Sequence, residues 1–320
     1  MVESPLADVF RAGADTLDQP ALRRLAADLD APIRAAVTGR PGAGRDTVRR
    51  ALRGVGVGVG VEVEAGPAGD SGAPELEIRV FVEELTGEDR AALAHAPAAV
   101  AVMTKADLAG FGGAGPLAAA AARGRRIERR TGVPTRPLAA LLAVAGSDPD
   151  ALDRELLDGL RALAGGAARL PARLRRRLCA ELDVFGVAVA VRALRCGADR
   201  AGVRAELLRA SGVADLTPEI ARAGGVARYR RVLAAVAAAE RLATGPHGDA
   251  IARFLAGDEV VLARMAHAAE AAGAAQIPDD DAAAQLRRAV AWQRVARDWA
   301  PDIVRGSLRL WTRAGGRPAR

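Results

Sequence analysis

The feature that most narrows the folds open to this chain is a regular alternation of strand and helix signals between Ile33 and Ala143, which stops near Asp150. Ile33 to Thr38 is short, partly β-branched and ends at Gly39, while Leu76 to Val82 and Ala98 to Met103 are apolar runs of strand length. Helical stretches lie between them. Thr47 to Leu52 starts one, and Thr86 with Asp89 resembles a capping box that opens another through Ala94. A third carries Arg123, Arg125, Arg126, Arg129 and Arg130 and ends at Gly132. Parallel strands need long crossovers, so this order predicts an α/β domain with a mostly parallel sheet flanked by helices.

Val55, Val57, Val59, Val61 and Val63 alternate with Gly56, Gly58, Gly60 and Glu62, which would set the valines on one face of a strand. The alternative is an irregular edge strand or hairpin arm, because glycine supports strands poorly. Ala65 to Pro74 reads as a turn-rich linker.

The flanks are helical. Leu22, Leu25 and Leu29 recur at helical spacing before Pro32; Leu156, Leu160 and Leu163, then Leu174, Leu178, Leu182 and Phe185, form stripes beyond Asp150. Glycines at 165–166, 197, 212, 224–225, 245, 257 and 273 divide that half into six or seven expected helices, the last from about Asp281 to Trp299. The expected layout is a helical lead-in over 1–30, the α/β domain over 31–148 and an all-α helical domain over 149–320. Apolar residues make up 50% of the chain but aromatics only 3%, so the cores must be built from Ala, Val and Leu.

Charge is uneven. Residues 1–150 hold 18 Lys+Arg against 20 Asp+Glu, and residues 151–320 hold 28 against 19. A basic helical half suits an anionic membrane surface, an acidic protein partner or nucleic acid; the near absence of aromatic stacking residues argues against nucleic acid. Cys179 and Cys196 form no CxxC and have no histidines at metal-binding spacing, which points to a reduced, cytoplasmic setting without structural zinc. Met1 to Pro20 lacks the apolar run of a signal peptide, and Val184 to Leu194 is shorter than the roughly 20 residues of a spanning helix. At most, a position peripheral to the inner face of a membrane is expected.

Gly39-Arg40-Pro41-Gly42-Ala43-Gly44-Arg45-Asp46 keeps the G-x-x-x-x-G frame of a P-loop, followed by Thr47, between a strand and a helix as that motif requires. In such a loop backbone N–H groups wrap phosphates, a lysine reaches the β- and γ-phosphates, and a Ser or Thr hydroxyl ligates Mg²⁺. Here Arg45 stands at the lysine position and Asp46 at the hydroxyl position. An arginine fork does not simply replace an ammonium. A carboxylate about 4 Å from a phosphate, at an effective dielectric of about 20, costs of order 4 kcal/mol unless Mg²⁺ is recruited to Asp46. The plainer alternative is a glycine-rich strand-to-helix turn.

Thr104-Lys105-Ala106-Asp107 follows an apolar strand about sixty residues later. Of the 46 basic residues 45 are arginine, and the chain has no asparagine; its one lysine, Lys105, falls inside this tetrapeptide. A compositional bias that removed every other lysine makes its survival there a functional signal. Between the glycine loop and this tetrapeptide a switch threonine and a D-x-x-G segment are missing, and Asp70-Ser71-Gly72 has the wrong spacing. Glu84 and Asp89 read as strand end and helix cap.

Pro32 to Gly54, PIRAAVTGRPGAGRDTVRRALRG, resembles the first segment of bacterial dynamin-like and Era-type GTPases, written P-[LI]-R-V-A-V-x-G-x-x-x-A-G-K-S-T-L-x-N-A-L. Leu85 to Leu108 looks like the later strand-helix-strand ending in N/TKxD, and Val133 to Ala143 like the next strand, with a degenerate S-A-x loop at Leu138-Ala139-Ala140. Leu178 to Leu242 is similar to the helical region that follows in small dynamin-like proteins. The resemblance implies a P-loop GTPase-like sheet domain in which Asp107 accepts guanine N–H donors and the Lys105 stem lies along the base. It implies GDP or GTP with Mg²⁺ as ligands; the departures at Arg45 and Asp46 leave binding weak or absent.

The expected role is that of a pseudo-GTPase, a regulatory or assembly partner of another protein such as an intact GTPase. Two alternatives stand beside it: an unorthodox active GTPase with Asp46 as Mg²⁺ ligand, and a basic helical adaptor at anionic membranes. His95, His247 and His267 are isolated and read as structural or exposed. Arg173, Arg175, Arg176 and Arg177, and Arg228, Arg230 and Arg231 around Tyr229, read as solvated helix faces. Trp292, Trp299 and Trp311 suit core packing or docking.

Overall fold

The computed structural model describes residues 4–56, 60–64, 73–110, 114–245, 248–274 and 278–317. Two compact units result: Arg34–Ala221, and Met1–Ile33 together with Arg222–Arg320. This division differs from the three expected segments. The helices that follow the sheet as far as Ala221 share its unit, and the lead-in belongs with the end of the chain.

The chain opens with α1 (Pro5–Thr16) and α2 (Pro20–Asp30), each with proline in its first turn, where φ is preset and no N–H is needed. The sheet that follows has five parallel strands in the order β2-β1-β3-β4-β5. They are β1 (Ile33–Gly39), β2 (Val61–Val63), β3 (Leu76–Val82), β4 (Ala99–Thr104) and β5 (Thr135–Leu138). The helices between them are α3 (Arg45–Val55), α4 (Gly87–His95) and α5 (Pro116–Thr131). β3 and β4 are buried almost throughout, as strands covered on both faces should be. Thr86 and Asp89 do form the capping box of α4, and Gly132, in the left-handed region, ends α5.

Val55 is the last residue of α3, and of the expected valine strand only Val61–Val63 pairs as β2. Val57 and Val59 lie outside the described residues, as do 65–72 of the linker with Asp70-Ser71-Gly72.

After β5 come α6 (Ala140–Ser147), α7 (Arg154–Ala164), α8 (Ala172–Arg195), α9 (Arg200–Ala210), α10 (Val213–Leu242), α11 (Gly248–Ala256), α12 (Asp258–Ala272), α13 (Ala282–Gln293) and α14 (Ala300–Arg313). Two expected boundaries move. Gly224-Gly225 lies inside α10, where packing outweighs a propensity cost of about 1 kcal/mol per glycine. The helix expected to reach Trp299 ends at Gln293, and Pro301 starts a new one, since its ring would clash with the carbonyl four residues back in a continuous helix.

In Arg34–Ala221 one core packs Leu142, Leu156, Leu160, Leu178, Leu182, Val189 and Leu207, and another packs Phe81, Leu93, Met103 and Ile127. In the other unit Leu6, Phe10, Leu22 and Leu29 pack against Val232, Val236 and Val260. Arg231 donates to the carbonyls of Asp28, Ala31 and Pro32 at the end of α2, where a helix favours a cation.

Candidate functional site

Ligands of open parallel sheets settle beyond the carboxyl ends of the strands, where the strand order reverses. The chain leaves β1 for β2 on one side while β3 to β5 lie on the other, so the reversal falls between β1 and β3. Gly39 ends β1 at that point with φ 142°, and a Cβ on it would stand 2.2 Å from the Val80 carbonyl oxygen. No side chain fits there. The loop continues through Gly42 and Gly44 with φ of 80° and 87°, and Gly44 is the N-cap of α3.

The sheet register sets Val82 beside Thr104 and Thr104 beside Leu138, so the ends of β3, β4 and β5 are level. Thr104 is 3% exposed, with Oγ1 2.7 Å from the Ala43 carbonyl and 3.0 Å from that of Phe81. Its hydroxyl therefore ties the glycine loop to β4 and β3. Lys105 takes a left-handed φ of 53° and stays exposed; the single turn Ala106–Leu108 after it carries Asp107 inward, to 6% exposure.

Gly44 and Thr47, Thr104 to Leu108 without Ala106, the α6 start Ala140 to Leu142, and Asp183 line one cavity of about 270 Å³. It lies at the small end of the roughly 300–1,000 Å³ typical of ligand pockets, sized for a nucleobase rather than a whole triphosphate. The sequence matches no family model and no curated protein. Of the residues singled out by motif, Gly44, Thr47, Thr104, Lys105, Asp107 and Ala140 meet at this cavity, whereas Gly39, Gly42, Arg45 and Asp46 do not line it. Leu138 and Ala139 are buried beneath it, and the Ala139 N–H already donates to Ser211 O at 2.9 Å.

Asp183 is the site residue that sequence patterns miss. It interrupts α8 with φ 60° and ψ 174°, a region almost restricted to glycine, and its Oδ1 accepts the Val184 N–H at 2.6 Å. A Cβ on Gly186 would meet Leu142 Cδ1 at 2.9 Å, so this glycine lets α8 lie close against α6. The one available signal was a lone acid ahead of an apolar run. Burial raises the Asp107 pKa above its ordinary value; its own backbone N–H opposes this, the facing Asp183 carboxyl raises it further, and Lys105 lowers it.

At the loop, Asp46 stands in the first turn of α3, next to the N-cap Gly44 and Arg45. Its side chain is 90% exposed and paired with Arg49, so solvent screens most of the expected repulsion. Arg45 is exposed as well. Among the described residues no three His, Cys, Asp or Glu side chains gather to hold a metal. Asp46 faces solvent, so a Mg²⁺ ion held there would take the rest of its shell from water and ligand phosphates.

Beside the loop, Asp89 is wholly buried. It accepts from Arg79 Nε at 2.9 Å and Nη2 at 2.8 Å, and Arg40 Nε approaches its other oxygen at 4.0 Å. Burial alone would raise its pKa, but hydrogen bonds from Thr86 and Arg79 outweigh that and lower it. Glu84 is exposed.

The remaining candidates have structural settings. His267 is buried, with Nε2 2.9 Å from Ser4 Oγ and Nδ1 3.8 Å from Glu270. That series resembles a hydrolase relay, but Ser4 is 2% exposed and caps α1, so substrate has no access to it. His95 is exposed, its Nδ1 2.7 Å from Ala91 O, and His247 lies outside the described residues. Arg177 pairs with Asp153 and Glu155, and Arg228 with Glu270; Arg173, Arg175, Arg176 and Arg230 are exposed. Trp292 and Trp299 pack against the Tyr229 cluster.

Proposed function

We propose that this chain is a pseudo-GTPase of the dynamin- or Era-like type, with a guanine site whose base end is kept and whose phosphate end is altered. The observation that carries this reading is the convergence of Gly44 and Thr47 with Lys105 and Asp107 on one cavity. Asp107 is an acceptor for ring N–H donors, and Leu108, Leu141 and Leu142 offer apolar walls to a planar ring. The N-terminus of α3 and the exposed Arg40 and Arg45 keep some attraction for phosphate. Without a lysine or a hydroxyl ligand at positions 45 and 46, additional phosphates contribute little, and the metal-assisted route to hydrolysis is lost. Such a protein acts through association, as a regulatory or assembly partner of an intact GTPase.

Isothermal titration with guanosine, GDP and GTP tests the site. Their affinities are expected to lie within about tenfold of one another, to be unchanged by EDTA and to vanish in Asp107→Ala, with no steady phosphate release; a tenfold range corresponds to about 1.4 kcal/mol. Tight GTP binding that needs Mg²⁺, or steady turnover lost in Asp107→Ala, would instead establish an unorthodox hydrolase. Co-purification that returns only this chain would remove the partner role.

A further inference from the structure

We propose that Asp183, brought to the cavity by the break in α8, is a specificity-determining residue that recognises the exocyclic amino group of a guanine ring. This rests on the nucleotide reading above. Asp107 is 6% exposed, aims into the cavity, and has no basic side chain in ion-pair contact among the described residues. A carboxylate buried in that way needs donors. Asp183 reaches the same cavity from a separate element and faces Asp107 across it. Its backbone holds a conformation costly for any residue but glycine, and strain of this kind persists at ligand sites where the surroundings impose it. Three residues on, Gly186 lets α8 pack closely against Leu142.

A guanine edge presents three N–H donors. Asp107 accepts the ring N–H and one amino hydrogen, which leaves the second amino hydrogen to Asp183. Hypoxanthine, lacking the amino group, leaves Asp183 with no donor, and xanthine sets a carbonyl against a carboxylate. The charged groups facing Asp107 are Asp183 from α8 and Lys105 from its own loop, while α6 and the glycine loop face the cavity with uncharged residues.

GDP and IDP differ only in the amino group, which Asp107 and Asp183 share, so the change in their affinity ratio between the wild type and an Asp183 variant isolates this contact. A hydrogen bond to a charged acceptor is worth about tenfold to a hundredfold in affinity, and the wild type is expected to prefer GDP by that much. Asp183→Gly suits the local backbone and should fold. It is expected to weaken GDP about tenfold while IDP stays within about twofold. Asp183→Asn keeps an acceptor oxygen and should retain part of the preference. Equal weakening of GDP and IDP by Asp183→Gly, or a wild type indifferent to the amino group, would overturn the role of Asp183 and leave the nucleotide site standing. A wild type that binds neither guanosine, GDP nor IDP at millimolar concentration would overturn both.

Discussion

Thr104, Asp107 and Asp183 stand within one cavity but do different physical work, and each is separately testable. Removing the Thr104 hydroxyl in Thr104→Val leaves the buried Ala43 carbonyl without its donor, so a loss of about 1–3 kcal/mol is expected in urea denaturation. Asp183→Gly relieves strain of order 1–3 kcal/mol, against about 0.5–1 kcal/mol of added chain entropy in the unfolded state. Its urea midpoint should therefore rise. Because the folded Asp107 pKa is raised, its contribution to stability is full below the unfolded value and is lost as pH rises through the folded value. Asp107→Asn should abolish that slope in pH-dependent unfolding. Lys105 and Asp107 were legible in the sequence because a surviving lysine and a fixed tetrapeptide marked them. Asp183 was not, since its meaning lies in a partner on another element and in a backbone angle, neither of which leaves a local pattern.

Elements that were legible share one property: a local terminator that agrees with the tertiary structure. Gly39 at the end of β1, the Thr86 and Asp89 cap that opens α4, and Gly132 after α5 each mark a boundary where the sequence placed it. Gly224-Gly225 misleads because a helix in a packed core tolerates glycine, and the α13 to α14 break was hidden by continuous helical periodicity on both sides. The α4 cap also anchors β3, since Asp89 neutralises Arg79, whose side chain is 10% exposed. Asp89→Ala leaves that guanidinium with Glu77 at 3.5 Å and removes the cap, so a loss of about 3–5 kcal/mol is expected in chemical denaturation. The pH dependence has the opposite sign to that of Asp107: with a depressed folded pKa, the Asp89 contribution is present above the unfolded value and is lost as pH falls through the folded one. Acid unfolding of the wild type should show this loss, and Asp89→Ala should not.

At the scale of the whole molecule, the basic composition of residues 151–320 overstates the free positive surface. Arg177, Arg228 and Arg264 are paired with carboxylates, and Arg288 is buried on Ser307 and Gln285. Arg228, Arg264 and Arg288 serve the interior and Arg177, though more exposed, is held by two carboxylates, which weakens the case for a membrane adaptor built on charge alone. The compact unit formed by Met1–Ile33 and Arg222–Arg320 makes a stronger claim about the first thirty residues, which in the sequence looked like a lead-in. Leu6, Phe10 and Leu22 are fully buried and Leu29 is 2% exposed, all in one core with Val232, Val236 and Val260. At about 1.5–3 kcal/mol for each such side chain, their removal costs as much as the whole stability of an ordinary domain, about 5–15 kcal/mol. A chain lacking residues 1–30 should therefore lose more helical circular dichroism than α1 and α2 contribute, and should bind a hydrophobic dye through the exposed faces of α10 and α12. If that chain instead kept a cooperative melt and lost only the signal of two helices, the first thirty residues would be an appendage and the shared core would not be what holds Arg222–Arg320 together.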